Sequence, residues 1–243
     1  MSLSSNEQLE FKLLTRDKVQ EALDIQTETM KQECLAIGFG MFEEVGAAEE
    51  MRMVFTEIVK DGSTIMAVDR ETDQLAAVAF NKIHARPREG EKDQLEIFMK
   101  ENLKHRACQE LVNFLDSIQM NVDIFKNYNA NGAIELFYLG TDPRYQGRGI
   151  GSQMVQKCIE FGRGLLNGTM KRSSIDGSIG NEQVLPEFIY GVFASNYSQR
   201  IAETIGFEVL HEVRYDDYSF AGKKLSEMIG DVHRSARLQG LKL

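Results

Sequence analysis

Leu9, Phe11 and Leu13 alternate with polar neighbours, the two-residue period that turns one face of a strand to a core and the other to water. Thr15 then offers an N-cap for a helix running to about Met30. Met51, Val54, Phe55, Ile58 and Val59 recur at the spacing of one helical face, and Gly62 ends that segment. Two short apolar runs, 65–68 and 75–80, flank the polar stretch Arg70-Glu71-Thr72-Asp73. That stretch is short enough for a hairpin loop, so the two runs are predicted to pair antiparallel. From about 87 to 131 the chain is charged and helix-prone, with Leu111, Phe114, Leu115, Ile118, Val122 and Phe125 at helical spacing. This segment reads as a helical insertion lying over a sheet.

Residues 134–139 are apolar at nearly every position, the pattern of a central strand, and they run into Gly140-Thr141-Asp142-Pro143 and a glycine-rich loop. In the helix that follows, Ile150, Met154, Cys158, Phe161 and Leu165 define a buried face with Val155, Ile159 and Leu166 beside them. Gly162, Gly164 and Gly168 weaken its end. A strand at 188–194, a helix at 195–205, an alternating strand at 207–215 and a strand at 238–243 that closes the sheet complete the pattern. The expectation is an α/β fold in a single domain, 1–243, with no linker: three prolines occur and the glycines are scattered.

Charge narrows the function. A formal net charge of −9 repels phosphate backbones, so a nucleic-acid binder is not expected. Arg144, Arg148, Lys157, Arg163, Lys171 and Arg172 nevertheless form one local basic neighbourhood, large enough for one small polyanion. The first residues show no basic and apolar leader, and no apolar stretch is long enough to span a membrane. Cys34, Cys108 and Cys158 are an odd number and far apart, which argues against a disulfide framework and fits a reducing cytoplasm. His84, His105, His211 and His233 do not cluster and no His-Glu-x-x-His occurs, so no metal is expected.

A strand, then glycines, then the first turn of a helix presents unpaired N–H groups and the positive end of a helix dipole to an anion. Gly147, Gly149 and Gly151 lack the Cβ atoms that would hold a pyrophosphate away from those amides, and Gln146 and Arg148 add side-chain donors. A Walker loop needs Gly-Lys-Ser/Thr, and a dinucleotide fingerprint needs glycine where Ser152 stands. A glycine-rich turn that binds nothing is the remaining alternative.

The stretch Leu139-Gly140-Thr141-Asp142-Pro143-Arg144-Tyr145-Gln146-Gly147-Arg148-Gly149-Ile150-Gly151 resembles the acetyl-coenzyme A motif of the GNAT N-acetyltransferases, Arg/Gln-x-x-Gly-x-Gly/Ala after a short strand. Ser195 to Arg200 and Ile205-Gly206-Phe207 resemble that superfamily's second motif, a helix ending in Gly-Phe. Within it, Gln32-Glu33-Cys34-Leu35 is similar to the Asp-Glu-Pro-Leu of insect-type arylalkylamine N-acetyltransferases, with Cys34 in place of the proline, and Asp231-Val232-His233 to their Pro-Pro-His. The resemblance implies a mixed, mostly antiparallel seven-stranded sheet, flanked by helices, whose fourth and fifth strands splay apart. Acetyl-coenzyme A, as co-substrate, would lay its pantetheine arm in that gap near Leu139, Gly140 and Thr141. Its pyrophosphate would rest on residues 146–152, from Gln146 through Ile150 to Ser152. The implied partner is a small primary amine, an arylalkylamine or biogenic amine, and the implied assembly a monomer or homodimer. A protein or peptide N-acetyltransferase and a silent coenzyme A-binding module are the rival readings.

An alkylamine attacks a thioester only as the free base, and with a pKa of about 10.4 it is roughly three units too protonated at neutral pH, a cost of about 4 kcal/mol. A carboxylate in a cleft can take that proton. Glu33 matches the insect-type motif glutamate, and Glu135 lies where histone-acetylating members of the superfamily carry theirs. For Glu33 the structural alternative is a solvated helix residue; for Glu135 it is a strand-edge charge paired with an arginine. The tyrosine that many members use to protonate the leaving thiolate corresponds to Ala202. By resemblance the serines opening this helix, Ser195 and Ser198, take that place, with Tyr197 as a substitute, although a serine there is usually an N-cap. Cys158, His233 and the Phe114 to Phe125 stripe read as packing residues.

Overall fold

The computed structural model describes residues 8–243 except 89, 91, 92, 178 and 180–182, so the leaderless reading of residues 1–7 lies outside the described residues. The chain order is β1 (Leu9–Leu13), α1 (Val19–Met30), α2 (Cys34–Gly38), α3 (Ala47–Ile58), β2 (Ile65–Asp69) and β3 (Leu75–Ala85). Three helices follow, α4 (Gln94–Asn102), α5 (Arg106–Gln119) and α6 (Ile124–Tyr128), before β4 (Gly132–Thr141) and α7 (Ile150–Leu166). Then come β5 (Phe188–Phe193), α8 (Asn196–Ile205), β6 (Glu208–Arg214), a small hairpin of β7 (Ser219–Phe220) and β8 (Lys223–Lys224), α9 (Leu225–Ile229) and β9 (Ser235–Lys242).

One seven-stranded sheet, ordered β1-β2-β3-β4-β5-β9-β6, separates two apolar layers. Helices α1 to α6 cover one face, with Phe55, Phe80, Phe114 and Phe188 fully buried between, and α7 and α8 cover the other through Met154, Cys158 and Ala202. Every neighbouring pair is antiparallel except β4 and β5, which run parallel and pair only at Ala133–Phe188, Ile134–Ile189 and Glu135–Tyr190. Beyond that point the two strands part. On its other side β4 stays paired with β3, but with a bulge: Asn81 faces Leu136 and Phe80 faces Tyr138, leaving Phe137 extra. A bulge bends the strand that carries it, so this one turns β4 away from β5 at the branch. Gly191 marks the same place, since a Cβ there would lie 2.9 Å from the Leu136 carbonyl oxygen.

Three expectations are corrected. Strand β3 continues past Phe80 to Ala85 because its polar half has partners: Asn81 Nδ2 donates to the Ser63 carbonyl at 2.9 Å, and Lys82 and His84 join a half-buried ion network. The last strand does not close the sheet; β9 lies between β5 and β6, and β6 is the edge. Thr15 opens a short 3-10 turn without a side-chain cap, and the α-helix begins at Val19. The insertion is helical as expected but broken, with Val122 in a link and Asp123 capping α6 through the Lys126 amide. The start of α5 is held from outside. Glu44 accepts from the amides of Arg106 and Ala107, and Glu50 from those of Lys104 and His105, so four otherwise orphaned donors face two carboxylates. Among the described residues no helix is long and apolar enough to cross a membrane.

Candidate active site

The gap between β4 and β5 is bounded at one end by the glycine loop. Asp142 receives the Arg144 amide at 2.8 Å, Pro143 opens a 3-10 turn, and the Tyr145 hydroxyl donates to Asp69 at 2.9 Å, so the loop enters α7 from a fixed base. Gly147 and Gly149 have φ of +76° and +75°, the left-handed region where a side chain is strained, and nothing lies within 4 Å of where their Cβ atoms would stand. The amides of Ile150, Gly151 and Ser152, in the first turn of α7, have no hydrogen-bond partner among the described residues, as at any helix start without a cap. Gln146 Nε2 donates to the Thr141 carbonyl at 3.1 Å, and the Arg148 guanidinium bonds the Arg144 carbonyl above the Tyr145 ring. Ile150 is buried as the anchor of the helix, while Gly151 and Ser152 are half-buried on its first turn. An open space faced by unpaired amides, Gln146 and Arg148 fits a pyrophosphate. Arg172 leaves the expected basic group: its side chain is 5% exposed and bonds Asp61 at 3.1 Å.

The stretch of β4 past the branch borders the gap. Leu136, Phe137, Tyr138 and Leu139 are half-buried, whereas the paired half of the strand is buried throughout. Gly140 lets α1 come close, since a Cβ there would lie 2.6 Å from Thr29 Oγ1. That approach puts Thr29 within 3.0 Å of the Tyr138 hydroxyl and sets the turn that follows α1 beside the open strand.

Glu33 lies in that turn. It is the N-cap of α2, its Oε2 accepting from the Ala36 amide at 2.7 Å, and Cys34 Sγ lies 3.3 Å from its Oε1. Burial raises the Glu33 carboxyl above its ordinary range, against the amides of Leu35 and Ala36 and the thiol. Its charge in turn adds to the burial that holds the Tyr138 hydroxyl protonated to high pH. The solvated-residue alternative does not describe it.

Glu135 is 7% exposed, at the last β4–β5 pair. Its partner is not an arginine, and β4 is no edge. His84 Nε2 donates to Oε2 at 2.8 Å and Gln119 Nε2 to Oε1 at 3.1 Å. Lys82 and Asp93 form an ion pair beside His84. Burial alone would lower the His84 pKa, but Asp93 and Glu135 carry it above its ordinary value.

Ser195 and Ser198 form a mutual capping box: Ser195 Oγ accepts the Ser198 amide at 3.1 Å and Ser198 Oγ accepts the Ser195 amide at 3.2 Å. The N-cap role of Ser195 is therefore real, and the two hydroxyl oxygens are 3.0 Å apart at the end of β5. Tyr197 is 71% exposed, and Ala202 is buried in the core beneath α8. His233 Nδ1 accepts the Asn196 amide at 3.2 Å, so this histidine holds the start of α8 rather than only filling space. Sequence patterning missed Cys34, Tyr138 and Tyr215 as neighbours of Glu33. A groove of about 410 Å³ lies between α4 and α5, lined by Glu96, Met99, Leu103, Val112 and Asp116 among others; it opens on the insertion, with no lining residue from β4, β5 or the glycine loop.

Residues 72–183 match the profile of the acetyltransferase (GNAT) family. Among solved structures, the chain is similar to arylalkylamine N-acetyltransferase 2 from Aedes aegypti at 17% identity and a TM-score of 0.74, over 96% of this chain and 98% of that one. It is similar to mosquito arylalkylamine N-acetyltransferase like 5b at 18% identity and a TM-score of 0.74, over 97% and 100%. A Drosophila melanogaster polyamine N-acetyltransferase that forms N-acetylagmatine matches at 16% identity and a TM-score of 0.72, over 97% and 100%. At these identities the likeness shows the fold.

Proposed function

We propose, from the match of residues 72–183 to the acetyltransferase (GNAT) family, that the chain transfers acetyl from acetyl-coenzyme A directly to a small primary amine, an arylalkylamine or related biogenic amine. One observation carries the reading: the β4–β5 gap has a cradle of unpaired amides at one end and a buried-carboxylate turn beside it. In this reading residues 146–152 hold the pyrophosphate and the open half of β4, at Leu139 to Thr141, receives the pantetheine arm.

Glu33 takes the proton from the amine as its nitrogen attacks the thioester carbonyl. A carboxyl raised by burial is better matched to that task at neutral pH than a solvated one. The carbon–sulfur bond then breaks, and in this reading a hydroxyl of Ser195 or Ser198 returns a proton to the thiolate. Glu135 is the second candidate base; its place at the branch favours it, while its bonds to His84 and Gln119 favour a structural charge. Half-exposed Phe137 and Tyr138, packed with Phe55 through ring centroids 5.8 and 5.3 Å away, support an aromatic guest beside Glu33. The insertion of α4 to α6 over this face supports a pocket rather than an open peptide groove.

Release of free thiol from acetyl-coenzyme A, with tyramine, dopamine, serotonin or phenylethylamine as acceptors, tests the proposal. Turnover with at least one of these is expected; no turnover with any of them, alongside brisk acetylation of peptides, would replace it with the peptide reading.

A further inference from the structure

Two polar side chains distant in sequence, Tyr215 and Cys34, converge on one carbonyl. Ala194, the residue between β5 and the Ser195 cap, accepts from the Tyr215 hydroxyl at 2.5 Å, and Cys34 Sγ lies 3.4 Å from the same oxygen. Cys34 Sγ is also 3.3 Å from Glu33 Oε1 and 3.8 Å from the Tyr215 oxygen. Tyr215 is fully buried, and Cys34 is 5% exposed. A thiol has one proton to give. With Tyr215 supplying the Ala194 carbonyl, that proton is left for Glu33.

We propose that Tyr215, acting with Cys34, is a positioning residue that fixes the Glu33 carboxylate against the end of β5. This rests on the reading of Glu33 as the proton acceptor. Without the hydroxyl, the Cys34 thiol turns to the buried carbonyl, which is costly to leave unpaired. Glu33 Oε1 then loses a donor that favours its charged form and helps hold its orientation.

The test compares Tyr215→Phe, Cys34→Ala and Cys34→Ser by the pH dependence of kcat/KM, with thermal unfolding beside it. The titratable groups facing Glu33 are Cys34, Tyr138 on β4 and Tyr215, all held protonated to high pH by burial, so the acidic limb belongs to Glu33. Tyr215→Phe and Cys34→Ala are expected to lower kcat by between about 10- and 100-fold, the scale of a small misplacement at a reacting centre. They should move the acidic limb to higher pH and keep the acetyl-coenzyme A-induced rise in Tm. Cys34→Ser, which keeps a donor, should stay near the wild-type profile. A Tyr215→Phe protein with lower Tm but an unmoved limb and normal kcat overturns the proposal. If Glu33→Gln itself leaves the limb in place, the base reading fails first and takes the proposal with it. If Glu33→Gln abolishes the limb while Tyr215→Phe and Cys34→Ala leave it unmoved, the proposal alone falls.

Discussion

Gly149→Glu isolates the phosphate cradle. At this position φ is +75° and nothing lies within 4 Å of an added Cβ, so the first carbon of the new side chain meets no protein atom. The left-handed backbone costs a non-glycine residue about 1–2 kcal/mol. At about 2–4 °C per kcal/mol for a chain of this size, the unliganded Tm should fall by about 2–8 °C. Ligand binding gives the larger signal. In the wild type, acetyl-coenzyme A at 100 times its Kd adds about 2.7 kcal/mol, a rise of about 5–10 °C. A carboxylate about 4 Å from one phosphate charge at an effective dielectric near 20 repels it by about 4 kcal/mol. Affinity then drops by nearly three decades, and the same ligand concentration should move the variant by less than about 1 °C. Gly149→Asn, whose side chain tolerates this backbone region and carries no charge, should keep most of the shift. Differential scanning fluorimetry with and without ligand reads all three proteins. A full shift in Gly149→Glu would refute the placing of the pyrophosphate on this loop.

Glu33→Gln should lower turnover at neutral pH by about 10² or more with coenzyme binding nearly intact, in steady-state assays run beside Glu135→Gln. A crippled Glu135→Gln with a healthy Glu33→Gln would reverse the ranking. Because the His84 pKa is raised above its unfolded value of 6.5, its contribution to stability is fully present below that value and lost as pH climbs through the folded one. The Tm gap between wild type and His84→Gln should therefore be wider at pH 6 than at pH 9, and a gap independent of pH would contradict the charged pair. Ser195→Ala removes half of the capping box and should cost about 1 kcal/mol, or about 2–4 °C in Tm. If Ser198 protonates the thiolate, Ser198→Ala should lose turnover at temperatures well below its Tm; normal kcat there would leave Ser198 as a cap alone.

Legibility followed locality. The loop at 146–152 was readable because positive φ and missing Cβ atoms are properties of single residues in a row, and the helix of residues 150–166 because its apolar face repeats over neighbours. The polar half of β3 was not readable: Lys82 and His84 look like solvent-facing residues until Asp93, in the insertion, and Glu135, on the next strand, come beside them. Strand order escaped for a similar reason. The alternation in residues 207–215 and the closing apolar run say that two strands exist, not that β9 slips between β5 and β6. Glu33 was found through its motif, but its surroundings were not, since residues 34, 138, 194 and 215 meet only after the sheet forms.

The most direct measurement of the central claim is a competition in one tube: limiting acetyl-coenzyme A, tyramine and a histone-tail peptide at equal concentration, with both N-acetyl products quantified by mass spectrometry against free thiol. A buried aromatic ring contributes a few kcal/mol that a lysine side chain cannot supply, so the amine should take the acetyl group by about tenfold or more. Acetyl found mainly on the peptide, with tyramine untouched, would contradict the account.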